Sequence, residues 1–270
     1  MINVQKPIPF VLTSTNHGVM IVNRNDYFMI NQESGYGVGF QILNTSSFDQ
    51  QEIDFALALI YRRKVNFGEG VVAIDCGANI GVHTVEWSRL MTSWGEVIAF
   101  EAQEKIFYAL AGNVILNNCL NVTVKNAALG ASCGFIEIPE PNYLIPSSYG
   151  SFELQKKQNN EYIGQEINYK KTKKIPLVTI DSLNLTRLDF MKIDVEGMEE
   201  DVLEGSRNTI LKFKPIMIIE IIKSNKDKLL SFLEPMSYFI YPLGINLLAI
   251  HKEDPINSSI KIDSNGIRLE

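Results

Sequence analysis

Residues 73–81 read "AIDCGANIG", an apolar strand running into a turn with two glycines. An acid, Asp75, stands just ahead of the first glycine. A glycine turn after a strand ordinarily receives a phosphate on its backbone N–H groups and on the N-terminus of the following helix. A carboxylate works against that use, because like charges about 4 Å apart cost several kcal/mol in a partly buried site. The ligand this turn suits therefore decides both fold and chemistry.

Outward from the turn the chain alternates. "VVAIDC" (71–76) is a wholly apolar strand closed by an acid, and "GVHTVEWSRLM" (81–91) is a helix. "EVIAFE" (96–101) is the next strand, again closed by an acid. "KIFYALAGNVILNN" (105–118) is a helix with Phe107, Leu110, Val114 and Ile115 on one side, and "NVTVKNAAL" (121–129) is a third strand. The pattern resumes with "LDFMKID" (188–194), "MEEDVLEGSRNTIL" (198–211), "PIMIIEI" (215–221) and "NKDKLLSFLEPM" (225–236). "YFIYPLG" and "NLLAIHK" close as an antiparallel hairpin around Gly244-Ile245-Asn246. Continuous apolar strands alternating with helices specify a sheet covered on both faces. The fold expected is α/β: a doubly wound, mostly parallel seven-stranded sheet with an antiparallel C-terminal hairpin and an N-terminal extension.

The extension spans residues 1–65. Within it "GVMIV" and "YFMIN" flank "NRND" as a hairpin. "SFDQQEIDFALALIYRRK" (47–64) reads as a helix capped by Ser47 or Asp49, with Ile53, Leu57 and Ile60 on one face. The core spans 66–252, interrupted by a polar insertion at 131–180, and 253–270 form a tail that wraps or frays.

Composition narrows the class. The 270 residues are 46% hydrophobic and 21% charged, enough for a full core. Three widely spaced cysteines, Cys76, Cys119 and Cys133, form no CxxC pair, so a reduced, cytoplasmic setting is expected. The start shows no signal peptide, and no window is long and apolar enough for a membrane span. A net charge of −6 argues against nucleic acid as partner. "YKKTKK" (169–174) reads as a solvated loop, with contact to an anionic acceptor or a membrane surface as the sharper reading. The sequence leaves the oligomeric state open, a homodimer included.

A dinucleotide fits the turn poorly. The GxGxxG spacing is absent, Asp75 opposes a pyrophosphate, and no GK[ST] follows for a P-loop. S-Adenosylmethionine fits better, being cationic at ammonium and sulfonium and free of phosphate. Asp75 would then favour its positive end, and Gly77 and Ala78 would let the backbone approach. Asn79 would meet the carboxylate, Gly81 would open the helix, and Thr84 would add a hydroxyl. Glu101, with Ala102 beside it, would accept the ribose hydroxyls, a feature shared with NAD sites. Asn126 and Ala127 would flank the adenine. His83 reads as a helix-face residue rather than a ligand contact. An NAD(P)-dependent Rossmann reductase and a non-catalytic methyltransferase-like scaffold remain the alternatives. A nucleophilic hydrolase is disfavoured, since the chain holds only three histidines, His17, His83 and His251, to serve as its base.

"AIDCGANIGVHT", "VIAFEA", "VTVKNAALG" and above all "LDFMKIDVEGMEEDVLEGS" resemble the FkbM-type methyltransferases, over about residues 70–222. The resemblance implies a Rossmann-like methyltransferase sheet, S-adenosylmethionine as donor, and O-methylation, commonly of hydroxyls on sugars or polyketide-like natural products; the acceptor expected here is a glycan or a glycosylated natural product. The acceptor expected is thus a small molecule or glycan.

"KIDVEG" (192–197) supplies the candidate chemistry. If the strand continues, Asp194 and Glu196 emerge on one face, and Glu220 ends the neighbouring strand. Asp194 also counts among the cofactor contacts. Three converging carboxylates raise the proton affinity of at least one, which suits a general base for a poorly nucleophilic hydroxyl. The same cluster could hold magnesium through oxygen ligands, but a base is preferred and no metal is predicted. Lys192 is expected to point away from Asp194 or to pair with a nearby acid. Tyr143, Tyr149 and the polar loop "IPSSYGSF" (145–152) suit a carbohydrate acceptor or an ordinary surface loop.

Overall fold

The computed structural model describes residues 7–31, 34–263 and 266–270. Of the expected extension, residues 1–6, 32 and 33 lie outside them. The chain forms two compact units, one of residues 1–48 with 137–173, the other of residues 49–136 with 174–270.

The larger unit holds the sheet. Its strands are β1 (Val71–Cys76), β2 (Gly95–Phe100), β3 (Val122–Lys125), β4 (Phe190–Ile193), β5 (Ile216–Glu220), β6 (Tyr238–Leu243) and β7 (Asn246–His251). Their order is β6-β7-β5-β4-β1-β2-β3. β1 to β5 run parallel, while β7 lies antiparallel to both β5 and β6. The seven strands, the parallel majority and the closing hairpin match the sequence reading. The chain moves outward from β1 to β3, then returns to place β4 on the other side of β1. The carboxyl ends of β1 and β4 therefore bracket the reversal of strand order, where ligands of such sheets bind.

The α-helices of this unit are α1 (Gln50–Phe67), α2 (Val82–Leu90), α3 (Glu104–Leu116), α4 (Glu199–Glu204), α5 (Arg207–Phe213) and α6 (Lys226–Leu233). Two-residue alternation sorts the strands onto two faces. Val72, Ile74, Met191, Ile193, Met217 and Ile219 pack with Val202, Leu203, Ile210, Leu229 and Leu233 from α4 to α6. Val71, Ala73, Phe190, Ile216 and Ile218 pack with Ala56, Leu59 and Ile60 of α1 and with Trp87 of α2. Burying a side chain of the Leu or Ile class contributes about 1.5–3 kcal/mol, so these two layers hold the sheet in place.

Several expectations are corrected. α1 belongs to the sheet-bearing unit, so the boundary falls after Phe48 rather than at residue 65. Ile53 and Ile60 are buried as expected, while Leu57 is only half-buried. On α3 the buried face is Ile106, Ala109, Leu110, Asn113 and Val114; Ile115 is 69% exposed. The stretch 121–129 splits, because Ala128–Leu129 leaves the main sheet to pair with Leu177–Val178. The tail carries a short 3-10 turn, Pro255–Ser259, and a hairpin of Ile260–Asp263 with Gly266–Leu269.

In the smaller unit Gly18–Asn23 pairs antiparallel with the upstream Phe10–Thr15, not with residues 27–31. Phe28–Met29 pairs instead with Gly35–Tyr36. The expected turn at 23–26 is anchored inward by Asp26. That buried carboxylate accepts the Tyr149 N–H at 3.0 Å and the Gly39 N–H at 3.1 Å. Tyr149 and Ser147 are fully buried, and Tyr143 is 8% exposed. These residues form the core of their unit, not an acceptor-binding loop. The basic run is also partnered: Lys173 pairs with Glu140, and Lys174 lies over the Phe135 ring.

Candidate active site

The glycine turn satisfies itself. The Gly77 and Ala78 N–H groups both donate to the Phe100 carbonyl, at 3.1 and 2.8 Å. Asn79 N–H donates to Glu101 Oε2 at 3.0 Å, Ile80 N–H to Asn79 Oδ1 at 2.8 Å, and Gly81 N–H to the Ala78 carbonyl at 2.8 Å. Every backbone N–H of residues 77–81 is thus committed within the protein, and none of the five is left to cradle a phosphate. Gly77 has φ +82, and a Cβ there would lie 1.8 Å from the Asp194 carbonyl oxygen. Its missing side chain admits the end of β4, not the close approach of a ligand as the sequence suggested.

Asp75 is 1% exposed and accepts the Thr84 hydroxyl at 2.6 Å. The Thr84 hydroxyl is therefore spent beneath the turn and not on a ligand. Burial pushes Asp75 up from the ordinary carboxylate range. Glu101 is 6% exposed and takes the Gln103 N–H on Oε1 at 2.7 Å. Its oxygens accept backbone N–H groups, and a carboxylate offers about four lone-pair sites, so it can still accept from a ribose hydroxyl. Burial lifts it to about 7. Asn126 Nδ2 donates to the carbonyls of Glu101 and Ala102, at 2.8 and 3.2 Å, and braces that loop. Ala127 packs into the core beneath.

At the ends of β4 and β5, carboxylate oxygens of Asp194, Glu196 and Glu220 lie within 4.8 Å of one another. They converge by a different route from the one expected. β4 stops at Ile193, and the chain turns through Glu196 at φ +55 and Gly197 at φ +90. Lys192 Nζ stands 2.5 Å from Asp194 Oδ2, and Lys223 Nζ stands 2.6 Å from Glu196 Oε2. Lys192 thus points toward Asp194 rather than away from it. Glu220 is 6% exposed, and its Oε2 is buried without a hydrogen-bond partner. Burial first, then Asp194 and Glu199, push Glu220 up to about 8. Glu196 is raised by burial and by Asp194. The spacing would admit a hard cation, but two of the three carboxylates already hold an ammonium group. The arrangement fits a proton acceptor better.

Several contributors were not singled out in the sequence. Glu199 is fully buried and accepts the Val195 and Gly197 N–H groups at 3.0 and 3.1 Å, together with the Ser224 hydroxyl. It fixes the turn that carries Glu196. Glu199, Glu200 and Asp201 open α4 together, and linear pattern does not separate the cap from its neighbours. Glu52 of α1 lies 3.3 Å from His83 Nε2 and 3.9 Å from Lys192 Nζ, and accepts Asn246 Nδ2 at 2.7 Å.

The fold is that of a Rossmann-like methyltransferase of the S-adenosylmethionine-dependent class. A family model described as "Methyltransferase FkbM domain" matches residues 75–240, more than half of the chain. The chain belongs to the FkbM methyltransferase family. Methyltransferase sdnD of Sordaria araneosa is 26% identical over 153 residues, covering 49% of this chain and 59% of its own. Methyltransferase 1 of Beauveria bassiana is 23% identical over 171 residues, covering 60% and 68%. The crystal structure of methyltransferase FkbM from Methylobacillus flagellatus KT aligns with a TM-score of 0.45 at 19% identity, covering 68% of this chain and 43% of that one. The chain therefore spans less than two thirds of sdnD and of the Methylobacillus protein. No described helix is long and apolar enough to cross a membrane.

Proposed function

We propose that this chain is an S-adenosylmethionine-dependent O-methyltransferase. Its acceptor would be a hydroxyl of a sugar, a glycan or a glycosylated small molecule. The observation that supports this most is the buried, unpartnered Oε2 of Glu220 beside Asp194 and Glu196.

Cofactor binding falls to the turn and to the ends of β1 and β2. Glu101 retains lone pairs for the ribose diol, and Asp75 lends negative potential from below. Ala78, Asn79 and Ala102 line the same loops, and Asn126 holds them. Asp194 faces both cofactor and acceptor in this reading. S-Adenosylmethionine supplies an electrophilic methyl group. Alignment of the acceptor oxygen with that carbon supplies much of the rate. Glu220 takes the hydroxyl proton as the oxygen forms its new bond to carbon. Asp194 and Glu196, each held by a lysine, orient the acceptor.

A dinucleotide reductase is disfavoured because the amides of the turn are already committed. Methyl transfer to a panel of monosaccharide-terminated acceptors tests the reading. Methylation of one or more hydroxyl acceptors supports it. Reaction with an amine acceptor and no hydroxyl acceptor would overturn its O-specific part.

A further inference from the structure

The α1/α2 face of the sheet is apolar up to one level and charged above it. Lys192 stands in register with Asp75 of β1 on one side and Ile218 of β5 on the other. Below it lie Ala73, Phe190 and Ile216; above it lie Asp194 and Glu220. Lys192 is only 7% exposed, and a lysine is rarely so buried unless it is paired. Its ammonium meets Asp194 Oδ2 at 2.5 Å and faces Glu52 Oε1 at 3.9 Å. Glu52 is itself fixed from two further elements, by Asn246 of β7 at 2.7 Å and by His83 of α2 at 3.3 Å. Asn246 is the register partner of Glu220. One chain of polar contacts thus links α1, α2, β4 and β7 directly under the carboxylate cluster.

We propose that Lys192 is a positioning residue for methyl transfer: anchored by Glu52, it holds the Asp194 carboxylate at the end of β4 and sets the charge environment in which Glu220 takes its proton. The proposal rests on the reading that these carboxylates act on the acceptor. Lys192 would not itself touch the reacting atoms. The charged groups facing Glu220 are Asp194, Glu196, Glu199, Lys192 and Lys223. Those facing Lys192 are Asp194, Glu52, Asp75 and Glu220. The carboxylates outweigh burial and hold its proton more tightly than usual. Lys192 and Lys223 work against the rise of Glu220. Neutralising Lys192 should therefore let Glu220 rise further.

The test uses the full chain saturated with S-adenosylhomocysteine. Carboxyl carbon-13 signals are titrated with pH, and Glu220 is assigned by its loss in Glu220→Gln. In Lys192→Met the Glu220 midpoint is expected to move up by about one unit. Lys192→Arg should restore it, and a loose structural role would not produce that rescue. Methyl transfer to the monosaccharide panel should fall about a hundredfold in Lys192→Met. An unmoved midpoint in a folded Lys192→Met variant overturns the proposal. If that variant does not fold, Glu52→Gln is read instead; a tenfold or greater fall in transfer supports the anchor and an unchanged rate refutes it. If Asp194→Asn and Glu220→Gln keep the parent rate, the underlying reading fails and the proposal with it. If those two lose transfer while Lys192→Met keeps both rate and midpoint, the proposal alone fails.

Discussion

Gly77→Ala isolates the join between the glycine turn and β4. At φ +82 the new side chain sits in the left-handed region, which costs about 1–2 kcal/mol. Its Cβ starts 1.8 Å from the Asp194 carbonyl oxygen, where real contacts stay beyond 3.0 Å. The oxygen must therefore recede by about 1.2 Å, the difference of those two distances. Asp194 N–H is bonded to the Cys76 carbonyl at 3.0 Å, so the displacement strains a backbone hydrogen bond whose loss costs about 1–3 kcal/mol. The two effects together come to about 2–5 kcal/mol, or a fall in Tm on the order of 10 °C for a chain of this size. A shift of about 1 Å at Asp194 should also lower kcat about a hundredfold. Thermal unfolding by circular dichroism and methyl transfer to the monosaccharide panel read the two effects. Gly77→Asn separates their causes: Asn tolerates the left-handed region, yet it makes the same contact, so it should rescue little. A Gly77→Ala protein with Tm within about 2 °C of the parent and undiminished turnover would refute the reasoning.

Three further outcomes are expected. Methyl transfer should rise with pH through about 8, where burial and neighbouring acids place Glu220, and Glu220→Gln should cost about 10²–10⁴ in kcat; a flat profile between pH 6 and 9, on the order of the span that one base titrates, would count against it. Asp26, Glu101 and Glu220 are raised to about 6, 7 and 8, chiefly by burial. The folded state binds their protons more tightly than the unfolded one does, so stability falls as pH rises from the ordinary carboxyl range toward 8. Glu52 is lowered to about 2 because its His83 and Lys192 partners outweigh burial; its contribution is lost as pH falls below the ordinary range. Tm measured against pH should therefore peak near about pH 5. Arg63, 5% exposed, pairs with the buried Asp189 and Asp254. Arg63→Ala takes the guanidinium from buried Asp254, while Asp189 keeps Arg187 at 2.7 Å; the cost is about 3–5 kcal/mol, which calorimetric unfolding should show as a drop in Tm on the order of 10 °C.

The sheet was legible because buried parallel strands write themselves as apolar runs closed by acids. "VVAIDC", "EVIAFE" and "PIMIIE" are each such a run, and Asp75, Glu101 and Glu220 all stand at the carboxyl ends of their strands. The approach of Asp194 to Glu220 was legible for the same reason, but Glu196 joins them through the turn after β4 and not along the strand. What Gly77 and Thr84 do was not, because their partners are distant in sequence: Gly77 meets Asp194, and Thr84 serves an acid nine positions back. The Glu52–Lys192 contact joins α1 to β4 and leaves no periodic trace. The Phe10–Thr15 strand was missed because its partner's hydrophobic run can pair on either side, and the inward pull on Asp26 comes from Gly39 and Tyr149.

Calorimetric titration of the intact chain with S-adenosylmethionine and, separately, with NADH bears on the central claim most directly. The account predicts saturable one-to-one binding of the sulfonium cofactor and no heat with the dinucleotide. Binding of NADH with none of S-adenosylmethionine would contradict it.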